Sequence, residues 1–440
     1  MLRLFFVLFT AVVAAVGPAT SSAETPKNII LVISDGMGPA FTTAYRYFAD
    51  DPATRDLIEP TVFDEMLVGG ASTHPAKVSG VVTDSAASAT AMSAGIKTYN
   101  GAIAVDENKQ PVQTVLEQAK LQGMKTGVAV TSQIVHATPA AFIAHNESRK
   151  NYDQLADSYF DDRLEGQFKA DVMLGGGWKY FIRPDRNLVE AFTDAGYEYV
   201  DQWANLAHTT SEKPLLGLFA DVGLPWALDF TEQHRLLALT ETAVRHLEND
   251  KGFFLMVEAS QVDWAGHAND IAAAMAEMAD LDETLQWLKS YADVNGDTLL
   301  VVTADHSTGG LTLSRDGDYR WQPDILHGLE QSPQALSQLA FKDKDKHRAE
   351  IIEQALGLTL TEAQAKQVKS AEDEKALLTL IKHIIDLHTG TGWTTGGHTA
   401  IDVPVMAWGP GKERFEGHQD NTEIGIKIRA LLNAHPTAND

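Results

Sequence analysis

The chain has 440 residues, 0 cysteines and a formal net charge of −25 at pH 7. Without thiols there are no disulfides, zinc–thiolate sites or cysteine nucleophiles. The acidic excess excludes a general nucleic-acid-binding role, because such a surface repels phosphate backbones and anionic lipid alike.

Met1 to Ala23 opens with Arg3, continues as an apolar run from Leu4 to Val16 and ends on Ser21-Ser22-Ala23. That layout predicts a secretory signal peptide over residues 1–23 and a periplasmic or secreted mature chain beginning at Glu24. The apolar run is too short to span a bilayer with margin, and no second run of spanning length follows. No membrane attachment is therefore expected after cleavage. No Pro/Gly/Ser-rich linker divides residues 24–440, which read as one domain.

Apolar, β-branched runs then alternate with helical patterns, predicting βαβ units and a mostly parallel sheet. Strands are expected at Asn28–Ser34, Lys125–Ser132, Asp171–Leu174, Gly252–Val257, Asp297–Thr303 and Val403–Trp408. Runs such as Ile29-Ile30-Leu31-Val32-Ile33 suit strands buried on both faces. Helices are expected at Ser85–Ala94, Pro111–Gln122, Thr231–Leu247, Asp270–Tyr291 and Thr422–Leu432. The fold class is thus α/β, a three-layer sandwich around a mostly parallel central sheet. Residues 311–390 are polar and helix-rich, with the charge run Lys342-Asp343-Lys344-Asp345-Lys346, and read as a surface insertion in that core.

Ligands of an open parallel sheet bind outside the carboxyl ends of its strands. Asp35 ends the first expected strand, His136 and Thr138 follow the second, Glu258 ends the fourth and Asp305-His306 ends the fifth. Any one of them reads as a turn former, but four such ends at one edge point to a site. Asp263 and His267, spaced i, i+4, share a helical face. Carboxylate plus imidazole without thiolate suits zinc, and His398, approached by Gly396-Gly397, completes a three-ligand set. Ser85 starts a small-residue helix whose N-terminus favours an anion, although Asp84-Ser85 alone would read as a cap. No G-x-S-x-G elbow surrounds it, so attack by Ser85 needs a metal to lower its pKa, as zinc lowers that of water by roughly 8 to 9 units.

The stretch Val82 to Thr90 resembles the alkaline phosphatase signature around the phosphorylated serine at every position. Five further blocks extend the resemblance in family order: Asp35-Gly36-Met37-Gly38, His136-Ala137-Thr138-Pro139 to Arg149, Glu258 to His267, Thr303 to His306, and Thr395 to His398. The resemblance implies an alkaline phosphatase-like sandwich with residues 311–390 as its crown, and a homodimer. It implies two zinc ions and one magnesium ion per chain. Asp263, His267 and His398 would hold the first zinc. Asp35, Asp305 and His306 would hold the second, with Ser85 as nucleophile. Asp35, Thr138 and Glu258 would hold magnesium, and Arg149 would grip two phosphoryl oxygens. Substrates would be small phosphomonoesters. His136 and Trp264 stand where some bacterial members carry Asp and Lys beside the metals, a pattern similar to cold- and salt-adapted marine members.

A phosphodiesterase on the same core is the alternative enzyme, but Arg149 favours a phosphoryl group with free non-bridging oxygens. A sulfatase would need a C/S-x-P-x-R motif, which the chain lacks. An exported metal- or phosphate-binding protein without activity is the alternative of a different class. Intact Ser85, Arg149 and ligand sets oppose it. Asp293-Val294-Asn295-Gly296-Asp297 starts like a calcium loop, but its glycine is misplaced and Ala304 fills the twelfth position. His74, His145, His208 and His418 are expected to be structural or surface residues.

Overall fold

Five successive apolar residues can all be hidden in a strand only if the sheet is covered on both faces, and Ile29 to Ile33 are each 0% exposed. The computed structural model describes residues 25–51, 58–230, 234–343 and 347–434. The expected signal peptide lies outside these, as do Lys344, Asp345 and Lys346 of the charge run.

The main sheet has ten strands. In chain order they are β1 (Asn28–Ser34), β2 (Leu67–Ser72), β3 (Lys125–Gln133), β4 (Val172–Gly176), β5 (Glu198–Val200), β6 (Leu215–Leu218), β7 (Phe253–Ala259), β8 (Thr298–Thr303), β9 (Val403–Trp408) and β10 (Gly417–Asp420). Their spatial order is β10-β2-β9-β8-β1-β7-β3-β4-β6-β5. All pairings are parallel except those of β9 with β8 and β2. Helices cover both sides, as the sandwich expectation required.

The four strands whose ends carry the candidate ligands, β8, β1, β7 and β3, are immediate neighbours in the sheet. Ile33 lies level with Glu258 on one side and Thr303 on the other, and Val130 is level with Glu258. Strands lie about 4.8 Å apart, so four adjacent carboxyl ends crowd their polar termini into one narrow crevice.

Helix limits follow local chemistry. The long helix Ile271–Asn295 starts where the Asp270 side chain accepts from Ala273 N, and stops at left-handed Gly296 (φ +80°). That glycine accounts for the calcium-loop lookalike as a helix terminus. Helix Val115–Leu121 begins later than the expected Pro111 because Thr114 and Glu117 form a capping box. The other three expected helices appear at Ser85–Ala94, Arg235–Leu247 and Asn421–Asn433.

Among the described residues between 311 and 390 lie five helices and one short strand, Thr312–Leu313, which pairs with Thr391–Gly392 outside the main sheet. Leu336, Ile352, Val368 and Ile381 from this stretch join the same continuous apolar cluster as the sheet. Among the described residues no helix is long and apolar enough to cross a membrane.

Candidate active site

Ser85 is the first residue of the helix Ser85–Ala94, every residue of which is buried. A helix hidden all round must be built from small side chains, and its sequence SAASATAMSA is. Asp84 caps it by accepting from Ala87 N at 3.0 Å, and the same oxygen accepts from Gly101 N at 3.0 Å. Its other oxygen pairs with Arg149 Nη1 at 3.1 Å. That guanidinium nitrogen also donates to Ser85 Oγ at 3.4 Å, and Arg149 Nη2 lies 3.1 Å from His136 Nε2. Burial works against the Arg149 charge, but Asp84 and then Asp35 outweigh it and raise its pKa.

Three groups of acidic and imidazole side chains surround this serine. Within each group the ligand-type atoms lie within 4.8 Å of one another. The first is Asp263, His267 and His398; the second is Asp35, Asp305 and His306; the third is Asp35, His136 and Glu258. Ser85 Oγ stands 3.2 Å from His306 Nε2, which itself is 3.4 Å from Asp35 Oδ1 and 3.1 Å from Asp305 Oδ2. A two-residue ladder pairs His398 with Thr308 and Thr399 with Ser307, bringing the His398 ring to 3.5 Å from that of His306. Gly36 makes the crowding possible, because a Cβ there would meet Asp263 Cα at 2.6 Å.

The hydrogen bonds fix the imidazole tautomers. Carbonyl oxygens only accept, so His267 Nδ1 donates to Gly396 O (2.7 Å) and His398 Nδ1 donates to Thr83 O (2.9 Å). Burial, then the neighbouring His306, pushes the His398 pKa down to about 4, so this ring is neutral near pH 7. The Nε2 atoms of His267 and His398 then approach to 3.1 Å with Asp263 Oδ1 3.7 Å from the latter. The bare His398 Nε2, facing a second imidazole nitrogen and a carboxylate, makes a cation-binding arrangement. Thr308 Oγ1 donates to Asp263 Oδ1 at 2.5 Å and lies 3.2 Å from His306 Nδ1, so it receives that proton and turns His306 Nε2 toward the carboxylates.

Polar atoms without partners test the fit to metal. Both oxygens of Asp35, Asp305 Oδ2, Glu258 Oε1, Thr138 Oγ1 and His136 Nδ1 are buried without a hydrogen bond. Buried polar atoms are almost always satisfied, so five of them within the second and third groups mark a place built for cations. Burial, followed by the charges of Asp305, Asp263 and Glu258, raises the Asp35 pKa well above the carboxylate range. A positive ion reverses that penalty.

Residues 26–434 match the family described as alkaline phosphatase. The chain belongs to the alkaline phosphatase family. Alkaline phosphatase 3 of Bacillus subtilis is 46% identical over 421 residues, covering 94% of this chain and 90% of that one. The cold-active alkaline phosphatase of a psychrophilic Shewanella is 48% identical, with a TM-score of 0.87 over 92% of this chain and 99% of that one. The alkaline phosphatase of the Antarctic bacterium TAB5 is 30% identical, with a TM-score of 0.70 over 93% and 99% of the two chains. Variants of the TAB5 protein with a histidine changed to glutamate or aspartate hold magnesium in its M3 site. Membership makes the chain a metal-dependent enzyme of phosphomonoester hydrolysis.

Of the twelve residues singled out from the sequence, eleven touch one another in or against this alkaline phosphatase crevice, and Thr138, two residues after His136, is buried with its hydroxyl unpartnered. His136 sits deeper than expected. Its Nδ1 is 3.9 Å from Asp35 Oδ2 and 3.8 Å from Glu258 Oε1, within the third group rather than beside it. Trp264 meets the His136 ring edge-on at 6.2 Å. Thr308, which carries no ligand signature in the sequence, lies two residues beyond His306, on the same side of an extended segment. The sequence also gave Asp84 only a capping role. His145 proves structural, 2.8 Å from Glu117 Oε1 and from Ala104 O.

Proposed function

We propose that the chain hydrolyses phosphate monoesters through a phosphoserine on Ser85. The observation that carries this is the placing of Ser85 Oγ between His306 Nε2 (3.2 Å) and Arg149 Nη1 (3.4 Å) at a capped helix start. Asp263, His267 and His398 would hold one zinc, and Asp35, Asp305 and His306 a second. Asp35, Thr138 and Glu258 would hold magnesium, with His136 at hand as a further donor. When bound, these ions lower the pKa of serine and water and neutralise charge on the departing and attacking oxygens.

Arg149 orients the phosphoryl group through its planar fork, held in place by Asp84. The free N–H groups of the Ser85 helix add attraction for the same anion. Ser85 Oγ gives its proton to solvent and bonds to phosphorus while the ester P–O bond breaks, and the leaving oxygen takes up a proton from solvent and departs as the alcohol. Water then bonds to phosphorus from the vacated side, the Ser85–phosphorus bond breaks, and Ser85 recovers a proton as phosphate leaves. The magnesium-bearing carboxylate variants of the TAB5 enzyme support reading His136 as the residue that tunes the third ion. We assign the mature enzyme to the periplasm or exterior as a homodimer, with residues 1–23 removed and residues 311–390 as its crown.

Ser85→Ala tests the scheme. Turnover of a chromogenic monoester should fall by several orders of magnitude while zinc content stays at the parent level. Activity within about tenfold of the parent would overturn the assignment.

A further inference from the structure

A cavity of about 330 Å³ lies between the core and the helix Pro333–Lys342, lined by Trp226, Trp264, Gln261, Gln334 and Gln338 among others. That volume falls within the range of small-molecule sites, about 300–1,000 Å³. Resting on the proposed phosphomonoesterase reading, we infer that this cavity receives the base of a nucleoside monophosphate during hydrolysis.

Position gives the first argument. Trp264 both lines the cavity and meets the His136 ring at 6.2 Å, and His136 Nε2 is 3.1 Å from Arg149 Nη2. The Trp264 indole and the His136 imidazole therefore link the cavity in two steps to the fork that would hold the phosphoryl group. His267, three residues further along the helix Gln261–Ala268, shares its face with Trp264 and is the exposed member of the first ligand group. The cavity thus lies on the helix face that also carries this exposed ligand residue.

Chemistry gives the second. Two half-buried indoles offer stacking faces, which every base can use. Glutamine amides offer paired donor and acceptor edges. Gln261 is committed, through Leu224 O at 2.6 Å and Arg235 Nη1 at 2.7 Å. Gln334 accepts from Trp226 Nε1 at 3.0 Å and keeps its NH2 group, and no side-chain hydrogen bond engages Gln338 among the described residues. The one carboxylate of the lining, Asp229, is occupied by Ser332 N and Ser332 Oγ, both at 2.7 Å. An aromatic, amide-edged cavity whose single carboxylate is already engaged by Ser332 suits a nucleobase better than a second phosphate, which that carboxylate repels.

The indole itself is held in place from behind. A Cβ on Gly223 would approach Trp264 Cη2 at 2.3 Å, so backbone packs directly on the ring. Gln334 and Gln338 come from the 311–390 stretch, which gives that segment a part in substrate choice.

The test compares adenosine 5′-monophosphate, 4-nitrophenyl phosphate and glycerol 2-phosphate on the metal-replete parent, Trp226→Ala and Gln338→Ala. The parent should favour the nucleotide over glycerol phosphate. Trp226→Ala should lower nucleotide kcat/KM by roughly tenfold, mainly through KM, with glycerol phosphate changed less than about twofold. Gln338→Ala should weaken the nucleotide alone, because an aryl ring has no base edge. Equal losses on all three substrates, or no loss on any, would overturn the subsite. Titrating tryptophan fluorescence with adenosine tests the cavity without turnover. Saturable quenching in the parent that Trp226→Ala weakens supports it, and absence of quenching overturns it. A parent that binds adenosine yet hydrolyses no monoester would instead sink the phosphatase reading.

Discussion

Replacing Thr308 by valine keeps the shape of a buried side chain and deletes one hydroxyl. Two bonds go with it, the 2.5 Å donation to Asp263 Oδ1 and the 3.2 Å contact with His306 Nδ1. Thr308 is 0% exposed, so water cannot readily replace them. A hydrogen bond to a charged group contributes about 1.5–3 kcal/mol and a neutral one about 1 kcal/mol. Relaxation recovers part of that sum, which leaves an expected 10- to 100-fold loss of metal affinity, as for other partners of metal ligands. Because the hydroxyl bridges residues of the first and second groups, the affinities of the two proposed zinc sites should weaken together. Competition against a chromogenic chelator measures this, and Thr308→Ser, which restores the hydroxyl, should recover most of the loss. If both dissociation constants of the valine variant stay within about threefold of the parent, the hydroxyl does not orient these ligands.

Exhaustive chelation should abolish activity, and zinc plus magnesium should restore it; full activity in a verified metal-free sample would contradict the ligand assignment. His136→Asp with Trp264→Lys should tighten magnesium binding by about 10- to 100-fold and strengthen phosphate inhibition, measured by magnesium titration and inhibition constants. Glu117 concerns stability rather than catalysis. Burial raises its pKa, but His145 (2.8 Å) and Lys169 (2.9 Å) overcome that and lower it to about 2. A depressed carboxyl pKa stabilises the fold above the unfolded value, and that contribution, about 3 kcal/mol, disappears as pH falls from about 4.5 to about 2. Glu117→Gln should therefore lose this stretch of the pH dependence in urea unfolding, and parallel parent and variant curves would refute it.

The sheet centre was legible because β1, β7 and β8 hide both faces and so read as unbroken apolar runs. Their carboxyl ends then exposed Asp35, Glu258 and Asp305-His306 to the same reading. The edges were not legible. Leu67–Ser72 contains two glycines and Gly417–Asp420 is Gly-His-Gln-Asp, so neither shows strand periodicity, and only pairing with β9 and with each other makes them strands. Glu198–Val200 and Leu215–Leu218 are too short for a pattern to emerge. The depth of His136 was hidden for another reason. It precedes the helix Ala137–Ile143, and only the turn after β3 aims its ring between Asp35 and Glu258. Thr308 escaped notice because a hydroxyl carries no ligand signature until its neighbours in space are known.

Asp35 belongs to two ligand groups at once, one oxygen 3.4 Å from His306 and the other 3.9 Å from His136. The second and third groups are therefore not separate compartments. Any ion that withdraws electron density from one oxygen alters what the other can offer. Linkage makes that influence equal in both directions: the factor by which one ion changes its neighbour's affinity is the factor by which the neighbour changes its own. A substitution such as His136→Asp, made on the side of the proposed magnesium, would thus be felt as a change in retention of the proposed zinc beside Ser85, through the shared carboxylate.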